Sequence, residues 1–212
     1  MYIEIENLTK VIGTQEILKD ITVGMEKGMI YGIRGKNGSG KTMLLRAICG
    51  LIKPTKGSVK IDGSLLGKDI TFPKSVGVLI ESPGFISSLS GYENLKMLAD
   101  IKGIIGKREI EEVMEKVGLE RETFKKKYRT YSLGIKQKLG IAAAVMEGPD
   151  LILLDEPTNA LDEESVRRVV ALLQEEKERG TLIVIASHDL EELHSLSDTL
   201  YVMNQGRMKE LE

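Results

Sequence analysis

The sequence predicts an α/β fold organised around a phosphate-binding loop, and three features of the 212-residue chain carry this prediction. A glycine-rich loop at residues 35–42 follows a short apolar strand and opens a helix. Two apolar stretches, residues 151–154 and 181–186, the second beginning with a threonine, are typical of strands buried on both faces of a parallel sheet. Between the loop and the first run, residues 91–127 are rich in charges and helix formers, which indicates a helical insertion.

Composition is that of a soluble, globular chain the size of one α/β domain. Hydrophobic residues make up 42% of the chain and charged residues 29%, with a net charge of −2. The mixed charges give no electrostatic reason to expect a nucleic-acid partner. The N-terminus has no basic or apolar leader, and the longest apolar run, residues 141–146, is too short to span a bilayer. We therefore expect no signal peptide, and we expect any role at a membrane to come through another polypeptide.

The loop at residues 35–42 fits the phosphate-binding pattern G-x-x-x-x-G-K-[ST]. It reads Gly35-Lys36-Asn37-Gly38-Ser39-Gly40-Lys41-Thr42. Glycines let backbone N–H groups turn inward around an anion, and the helix N-terminus adds a partial positive charge there. Lys41 can reach the β- and γ-phosphates, and the Thr42 hydroxyl can bind Mg²⁺. A glycine-rich turn that binds nothing is the alternative, but the flanking strand and helix favour a nucleoside triphosphate site.

The remaining elements follow from local patterns of apolar residues, with period two for strands and helical spacing for helices. In chain order, the predicted strands are residues 2–6, 17–23, 29–34, 58–61, 75–80, 151–154, 181–186 and 199–203. The predicted helices are residues 43–49, 93–99, 107–117, 133–146 and 163–179, with one more after Asp189. The short early strands are expected to pair in antiparallel fashion beside the unit that contains the phosphate loop.

Polar residues at the ends of the buried strands would complete a nucleotide site. Asp155 and Glu156 follow the run 151–154, and His188 comes shortly after the run 181–186. Because parallel strands end at one edge of a sheet, we expect these residues to converge on the phosphate loop. Asp155 then suits a metal site, where it would contact the groups that coordinate the ion. Glu156 suits the orientation or deprotonation of the attacking water, and His188 a γ-phosphate contact. The alternatives are a solvent-facing acidic turn and a polar histidine at a strand end.

Two helix starts carry capping signals. Ser132 is expected to cap the helix that follows it, and in the plainest interpretation it does nothing else. Asp189 and Glu192 have the spacing of a capping box for the next helix.

In combination, these motifs resemble the nucleotide-binding subunit of an ATP-binding cassette (ABC) transporter over essentially the whole chain. The family's order is kept by the phosphate loop at 35–42, a serine–glycine signature at 131–135, the acidic strand 151–156, the turn 159–162 and His188. The resemblance implies a P-loop NTPase (RecA-like) core with an antiparallel β-subdomain and an inserted α-helical subdomain. The core and β-subdomain would comprise about residues 1–83 and 147–212, and the helical subdomain about 84–146.

The same resemblance implies ATP and Mg²⁺ as cofactors and a head-to-tail pair of cassettes. In such a pair, Ser132 and Gly134 of one cassette contact the ATP that the phosphate loop of the other holds. It also implies a separate transmembrane permease as partner, which would hold a cytoplasmic cassette at the inner face of the cell membrane.

Three departures from the family pattern bear on function. Ile12 stands where the family usually has an aromatic residue that stacks on adenine, so weak selection between ATP and GTP is expected. Glu81 replaces a glutamine that touches metal and water, and its carboxylate would suit Mg²⁺. Leu133 and Ile135 replace a glycine and a glutamine of the signature, whose phosphate-contacting serine and glycine are kept. The Glu81 segment and this signature look similar to cassettes of bacterial peptide-antibiotic export and self-immunity systems.

The leading hypothesis is therefore an ATPase that powers a separate membrane permease. A soluble ABC protein of translation or DNA repair is the second, although such proteins usually carry two cassettes or long insertions. A regulatory nucleotide-binding module with little hydrolysis is the third: Ile12 and Glu81 make it conceivable, whereas Glu156 and His188 argue against it.

Overall fold

The computed structural model describes residues 1–211, which form two sheets, seven α-helices and one 3₁₀ turn. The strands are β1 (Ile3–Ile12), β2 (Gln15–Met25), β3 (Ile30–Arg34), β4 (Lys56–Ile61), β5 (Ser64–Leu65), β6 (Val76–Leu79), β7 (Leu151–Asp155), β8 (Leu182–Ser187), β9 (Thr199–Asn204) and β10 (Arg207–Glu210). The helices are α1 (Lys41–Ile48), α2 (Gly91–Lys102), α3 (Lys107–Lys116), α4 (Arg121–Phe124), α5 (Leu133–Val145), α6 (Glu163–Glu178) and α7 (Leu190–Leu196), with the 3₁₀ turn at Tyr128–Thr130.

The larger sheet has the strand order β10-β9-β3-β8-β7-β6, and all its pairs are parallel except that of β10 with β9. Alternate residues of β7 enter two different apolar clusters. Ile152 and Leu154 pack in the cluster that contains residues of α5, whereas Leu151 and Leu153 pack in the cluster that contains residues of α1. The sheet is thus buried on both faces, which is why its central strands are uninterrupted apolar runs.

The smaller sheet has the order β2-β1-β4-β5 and is antiparallel throughout, as expected for the early strands. Its first two strands are longer than residues 2–6 and 17–23, because irregular pairing carries them past residues that break the alternation. Asn7 and Asp20 adopt left-handed backbone conformations (φ 49° and 52°), and the Asn7 amide donates to the Asp20 carboxylate at 3.0 Å. This side-chain hydrogen bond stabilises the irregular stretch.

A helical region separates β6 from β7 and contains α2 to α5. Its first helix starts in a capping box: the Ser90 hydroxyl accepts from the Glu93 N–H at 3.2 Å, and the Glu93 carboxylate accepts from the Ser90 N–H at 2.6 Å. The short helix α4 and the 3₁₀ turn were not predicted. The predicted α/β class with a parallel core, an antiparallel sheet and an inserted helical region is confirmed, whereas the boundary at residues 84–146 stays a prediction.

Strand order brings three strand ends to one edge of the larger sheet. Arg34 at the end of β3 pairs with Ser187 at the end of β8, and Asp155 at the end of β7 pairs with Ala186. The loop after β3 and the residues after β7 and β8 therefore lie side by side.

Candidate nucleotide site

The phosphate loop connects the end of β3 to the first turn of α1. Gly40 is the N-cap of α1 at φ 111°, a backbone conformation in which a side chain would be strained, so this position requires glycine. Its carbonyl accepts the N–H of Leu44 at 2.9 Å, which closes the first helical turn. The loop and the residues around it, from β2, α1 and the end of β7, line a cleft of about 490 Å³. A cleft at a helix N-terminus is suited to an anion.

Lys41 is the most constrained charged side chain of the loop. It is 5% exposed, and its ammonium donates to the carbonyl of Gly35 at 2.6 Å. The same ammonium lies 3.4 Å from Oε1 of Glu156. The lysine is thus held in place by one carbonyl of its own loop and by the carboxylate of Glu156, which directly follows β7.

Thr42 and Asp155 place two oxygen atoms next to each other at the start of α1. The Thr42 hydroxyl donates to Oδ2 of Asp155 at 2.5 Å. Burial raises the pKa of the Asp155 carboxyl, while the Thr42 hydrogen bond and the charge of Lys41 oppose that shift. A hydroxyl and a partly buried carboxylate are both hard oxygen donors, which is the chemistry that Mg²⁺ prefers.

Glu156 and His188 meet at the ends of β7 and β8. Oε2 of Glu156 lies 2.7 Å from Nδ1 of His188, and the His188 N–H donates to the same oxygen at 3.4 Å. Glu156 adopts a left-handed conformation with φ 49°, which directs its side chain away from the course of the strand. The structure therefore brings Lys41, Asp155, Glu156 and His188 together at the loop, as the strand ends predicted.

The predicted capping box at α7 is only half formed. The Asp189 carboxylate caps the helix by accepting from the N–H groups of Glu191 and Glu192, at 2.9 and 3.2 Å. Glu192 does not return the contact, because its carboxylate instead accepts the Ser187 hydroxyl at 3.0 Å. That hydroxyl also lies 3.4 Å from Glu156, and burial raises the pKa of Glu192. The sequence interpretation was wrong about the partner of Glu192.

Ser187 and Gln137 belong to the surroundings of Glu156 and were missed from the sequence. The side-chain amide of Gln137 donates to the carbonyls of Glu156 and Pro157 at 2.9 and 3.1 Å. A polar residue that falls on the buried side of α5 was the only available signal for Gln137. Nothing in the local pattern distinguishes Ser187 from any serine at a strand end.

Four predicted residues lie outside the set at the phosphate loop. Ser132 is exposed and caps α5 by accepting the Ile135 N–H at 3.4 Å. Gly134 packs against the turn after β7, where a Cβ would come within 2.6 Å of the Ala160 carbonyl oxygen. Ile12 is 52% exposed at the end of β1, and the neighbouring cleft is lined instead by Gln15 and Ile17 of β2.

Glu81 is the fourth residue, and it pairs with a cation on α1. Its carboxylate lies 2.8 Å from the Arg46 guanidinium, and its side chain is 61% exposed. Its negative charge nevertheless contributes to the raised pKa of Asp155, so it lies within electrostatic reach of the site.

No helix within residues 1–211 is long and apolar enough to cross a membrane. In the same residues, His, Cys, Asp and Glu side chains nowhere gather in a group of three that would hold a metal ion.

The chain is similar to known proteins over most of its length. The family model described as "ABC transporter" matches residues 18–159. An uncharacterised ABC transporter ATP-binding protein of Bacillus subtilis, YybJ, is 49% identical over 210 residues, which are 99% of this chain and 96% of that protein. The bacitracin transport ATP-binding protein BcrA of Enterococcus faecalis is 43% identical over 210 residues, covering 98% of this chain and 68% of the relative.

Among solved structures, the chain is similar to the dimeric post-hydrolysis state of the ATP-binding cassette MJ0796 bound to ADP and Pi. The TM-score is 0.88 at 25% identity, with 99% of each chain covered. These similarities favour the transporter hypothesis over a cassette of translation or repair and over a regulatory module. The chain belongs to the ABC transporter family, as an ATP-binding subunit that hydrolyses ATP.

Proposed function

We propose that this cassette hydrolyses ATP with Mg²⁺ between two paired cassettes and thereby powers a separate permease that exports peptide antibiotics or similar amphiphiles. One observation supports the hydrolysis in this proposal: Lys41 contacts one oxygen of the Glu156 carboxylate, and His188 contacts the other. A base placed between a phosphate-binding lysine and a histidine suits activation of a water for attack on a terminal phosphate.

Phosphate binding is assigned to residues 35–42. The backbone N–H groups of the loop and the N-terminus of α1 would hold the β- and γ-phosphates, and the Lys41 ammonium would bridge them. Ser39 supports this role, because its hydroxyl is buried in the loop and has no hydrogen-bond partner within the described residues. An unpaired buried hydroxyl is costly unless a ligand completes it.

The residues present fit a Mg²⁺ ion. Thr42 and Asp155 offer two adjacent oxygen donors, and the raised pKa of Asp155 reflects a burial that a nearby cation would compensate. Because the protein supplies few carboxylates here, substrate phosphates would complete the coordination, as is usual for Mg²⁺. When bound, the ion would neutralise charge on the phosphate oxygens. We assign Thr42 and Asp155 to its binding, with Glu81 as an additional ligand once it leaves Arg46.

Hydrolysis is assigned to Glu156 and His188. The Glu156 carboxylate would orient the attacking water and accept its proton, and His188 would contact the γ-phosphate while fixing the carboxylate through Nδ1. Ile12 would lie near the base, where its aliphatic side chain offers little stacking.

A second cassette is the proposed source of the remaining contacts. Ser132 is exposed at the N-terminus of α5, where its hydroxyl and the backbone at Gly134 would meet the γ-phosphate of ATP bound to the other chain. The similarity to a dimeric cassette structure supports this arrangement.

The permease is proposed to dock on an apolar groove between α2 and the end of β6. Leu51, Val78 and Met97 line it and are 58%, 36% and 42% exposed, and Ile101 nearby on α2 is 78% exposed. Exposed apolar side chains gathered in one place mark interaction surfaces. A transporter subunit needs such a surface for its membrane partner, which would keep the cassette in the cytoplasm at the inner face of the membrane.

The bacitracin transport relative supports a peptide-antibiotic substrate.

The proposal is tested by Lys41→Ala in ATPase and resistance assays. Loss of one charged phosphate contact, about 2–4 kcal/mol, should lower ATP turnover at least about tenfold. In cells that express the chain together with the permease that it is proposed to power, the wild type should raise the inhibitory concentration of bacitracin, and Lys41→Ala should not. Lys126→Ala, at an exposed lysine of the helical region, is the control.

Unchanged turnover in Lys41→Ala would contradict the phosphate-binding assignment. Wild-type turnover without any protection against bacitracin would contradict the substrate assignment alone.

A further inference from the structure

One buried side chain, Gln137, joins the helix α5 to the backbone at Glu156. Gln137 is 8% exposed, and both hydrogens of its amide have acceptors: the Glu156 carbonyl at 2.9 Å and the Pro157 carbonyl at 3.1 Å. The side chain therefore spans two successive peptide units of another element. Burial of a side-chain amide is costly unless its hydrogens are bonded, and these two carbonyls meet that requirement.

The backbone that Gln137 holds is in an unfavourable conformation. Glu156 has φ 49°, which is costly for a residue other than glycine and persists only where neighbouring contacts enforce it. Its N–H donates to the Ala186 carbonyl of β8 at 2.7 Å, and its carbonyl accepts the Asn159 N–H at 3.3 Å in addition to Gln137. Glu156 is thus fixed on one side by β8 and on the other by α5.

The same helix also contacts the far end of the turn that follows Glu156. Gly134 lies so close to the Ala160 carbonyl oxygen that an added Cβ would be 2.6 Å from it, and Ala160 has φ 64°. The first turns of α5 therefore touch the turn at both ends, through Gln137 at Glu156 and through Gly134 at Ala160. A displacement of α5 must shift or break the hydrogen bonds that direct the Glu156 side chain.

We propose that Gln137 is a positioning residue for ATP hydrolysis, which sets the direction of the Glu156 carboxylate and makes it depend on the position of α5. The inference rests on the proposed function, in which Ser132 at the N-terminus of α5 contacts ATP on the second cassette. The ATP bound to the second cassette then sets the position of α5. Through Gln137, the position of α5 determines whether Glu156 is aligned with the attacking water.

The role predicts a loss of turnover with little change in nucleotide affinity. Gln137→Met keeps the length of the side chain and removes both donors, so the Pro157 carbonyl loses its bond and the backbone at Glu156 can relax. A shift of the carboxylate by about 1 Å costs up to about 10²-fold in rate. Because Lys41 and the phosphate loop are untouched, the KM for ATP should stay within about threefold of wild type while kcat falls by about 10- to 100-fold.

The matched control is Gln174→Met on α6. Gln174 is partly buried and also donates its amide to a backbone carbonyl, that of Leu196 at 3.5 Å, away from the nucleotide site. The kcat of the Gln174→Met variant should stay at the wild-type value. Wild-type kcat in Gln137→Met would overturn the inference. Should Gln137→Met not fold, Gln137→Asn decides by the same criterion, because its amide is one methylene too short to reach both carbonyls.

A double variant separates positioning from general stability. Because Gln137 acts through the Glu156 carboxylate, Gln137→Met should slow Glu156→Gln by no more than about twofold. A further loss as large as in the wild-type background would make the role structural and overturn the inference. If the single variant Glu156→Gln keeps wild-type turnover, the proposed function is overturned instead. If Glu156→Gln is slow but Gln137→Met turns over ATP at the wild-type rate, only the role of Gln137 is overturned.

Discussion

The two ends of the proposed ATP site differ in how much of their geometry a single chain supplies. At the phosphate loop, Lys41 and Asp155 are 5% and 8% exposed, and hydrogen bonds and ion pairs within the chain hold them. At the other end, Ser132 is exposed, Ile12 is 52% exposed, and the Glu81 side chain is 61% exposed and bound to Arg46.

The two ends differ because some of the proposed contacts are already made in the single chain and others are not. Buried polar groups are costly to leave unpaired, and Lys41 and Asp155 have partners within the chain, so these two side chains are fixed before any ligand arrives. Exposed polar groups carry no such penalty and are free to meet a second molecule. In our proposal, the buried end binds Mg²⁺ and binds and cleaves the phosphates, and the exposed residues meet the nucleotide base, a second cassette and, at Glu81, the same Mg²⁺ ion.

The largest effect is expected at the buried end, from Glu156→Gln. The amide keeps the shape of the side chain but cannot accept the proton of the attacking water, so turnover should fall by roughly 10²–10⁴. ATP binding should survive, because Lys41 and Thr42 remain. Since hydrolysis would no longer release the pair, the variant should accumulate as a dimer with ATP and Mg²⁺, measured by size-exclusion chromatography with light scattering.

Adding Ser132→Arg connects this result to the exposed end. A bulky cation at the start of α5 should abolish the ATP-dependent dimer of Glu156→Gln, whereas Ser88→Arg, at another exposed serine, should not. A Glu156→Gln protein that stays monomeric at high protein and ATP concentration would count against an autonomous pair of identical cassettes.

An intermediate effect is expected at Ile12. Without an aromatic partner worth roughly 1–3 kcal/mol, the base should contribute little, so ATP and GTP should bind within about tenfold of each other. Ile12→Tyr should strengthen ATP binding by about 5- to 100-fold in fluorescence titration. Thr14→Tyr adds the same ring elsewhere on the exposed β1–β2 turn and should change nothing. A hundredfold preference of the wild type for ATP would mean that another side chain recognises the base.

The smallest effect is expected at Glu81. Its exposed ion pair with Arg46 is worth at most about 1 kcal/mol, so the carboxylate can exchange it for a metal ion. Glu81→Gln should raise the Mg²⁺ concentration for half-maximal ATPase activity by about fivefold, the equivalent of one contact of about 1 kcal/mol. Glu178→Gln, at an exposed glutamate of α6, is the control. An unchanged Mg²⁺ dependence would leave Glu81 with Arg46 and outside the metal site.

Most elements of the fold could be predicted because their signals are local. The apolar runs of β7 and β8, the glycine-rich loop before α1 and the cap at Ser132 each depend on a few neighbouring residues. The lengths of β1 and β2 could not be predicted, because the two strands stay paired through an irregular stretch. A side-chain hydrogen bond between Asn7 and Asp20, 13 residues apart, stabilises that stretch. The short strand β5 and helix α4 contain too few residues to show a period.

The amino-acid sequence is enough to predict the chemistry of the phosphate end: an anion-binding loop with a lysine and a hydroxyl at the start of a helix, and two carboxylates and a histidine that follow buried strands. How these groups are held depends on contacts between distant parts of the chain. Gln137 reaches Glu156 across 19 positions of the chain, Glu81 pairs with Arg46 of α1, and Glu192 turns from its expected cap to Ser187. Such partners follow from the packing of α5 and from the strand order β10-β9-β3-β8-β7-β6, which no local pattern encodes because it is fixed only when distant apolar faces are buried together.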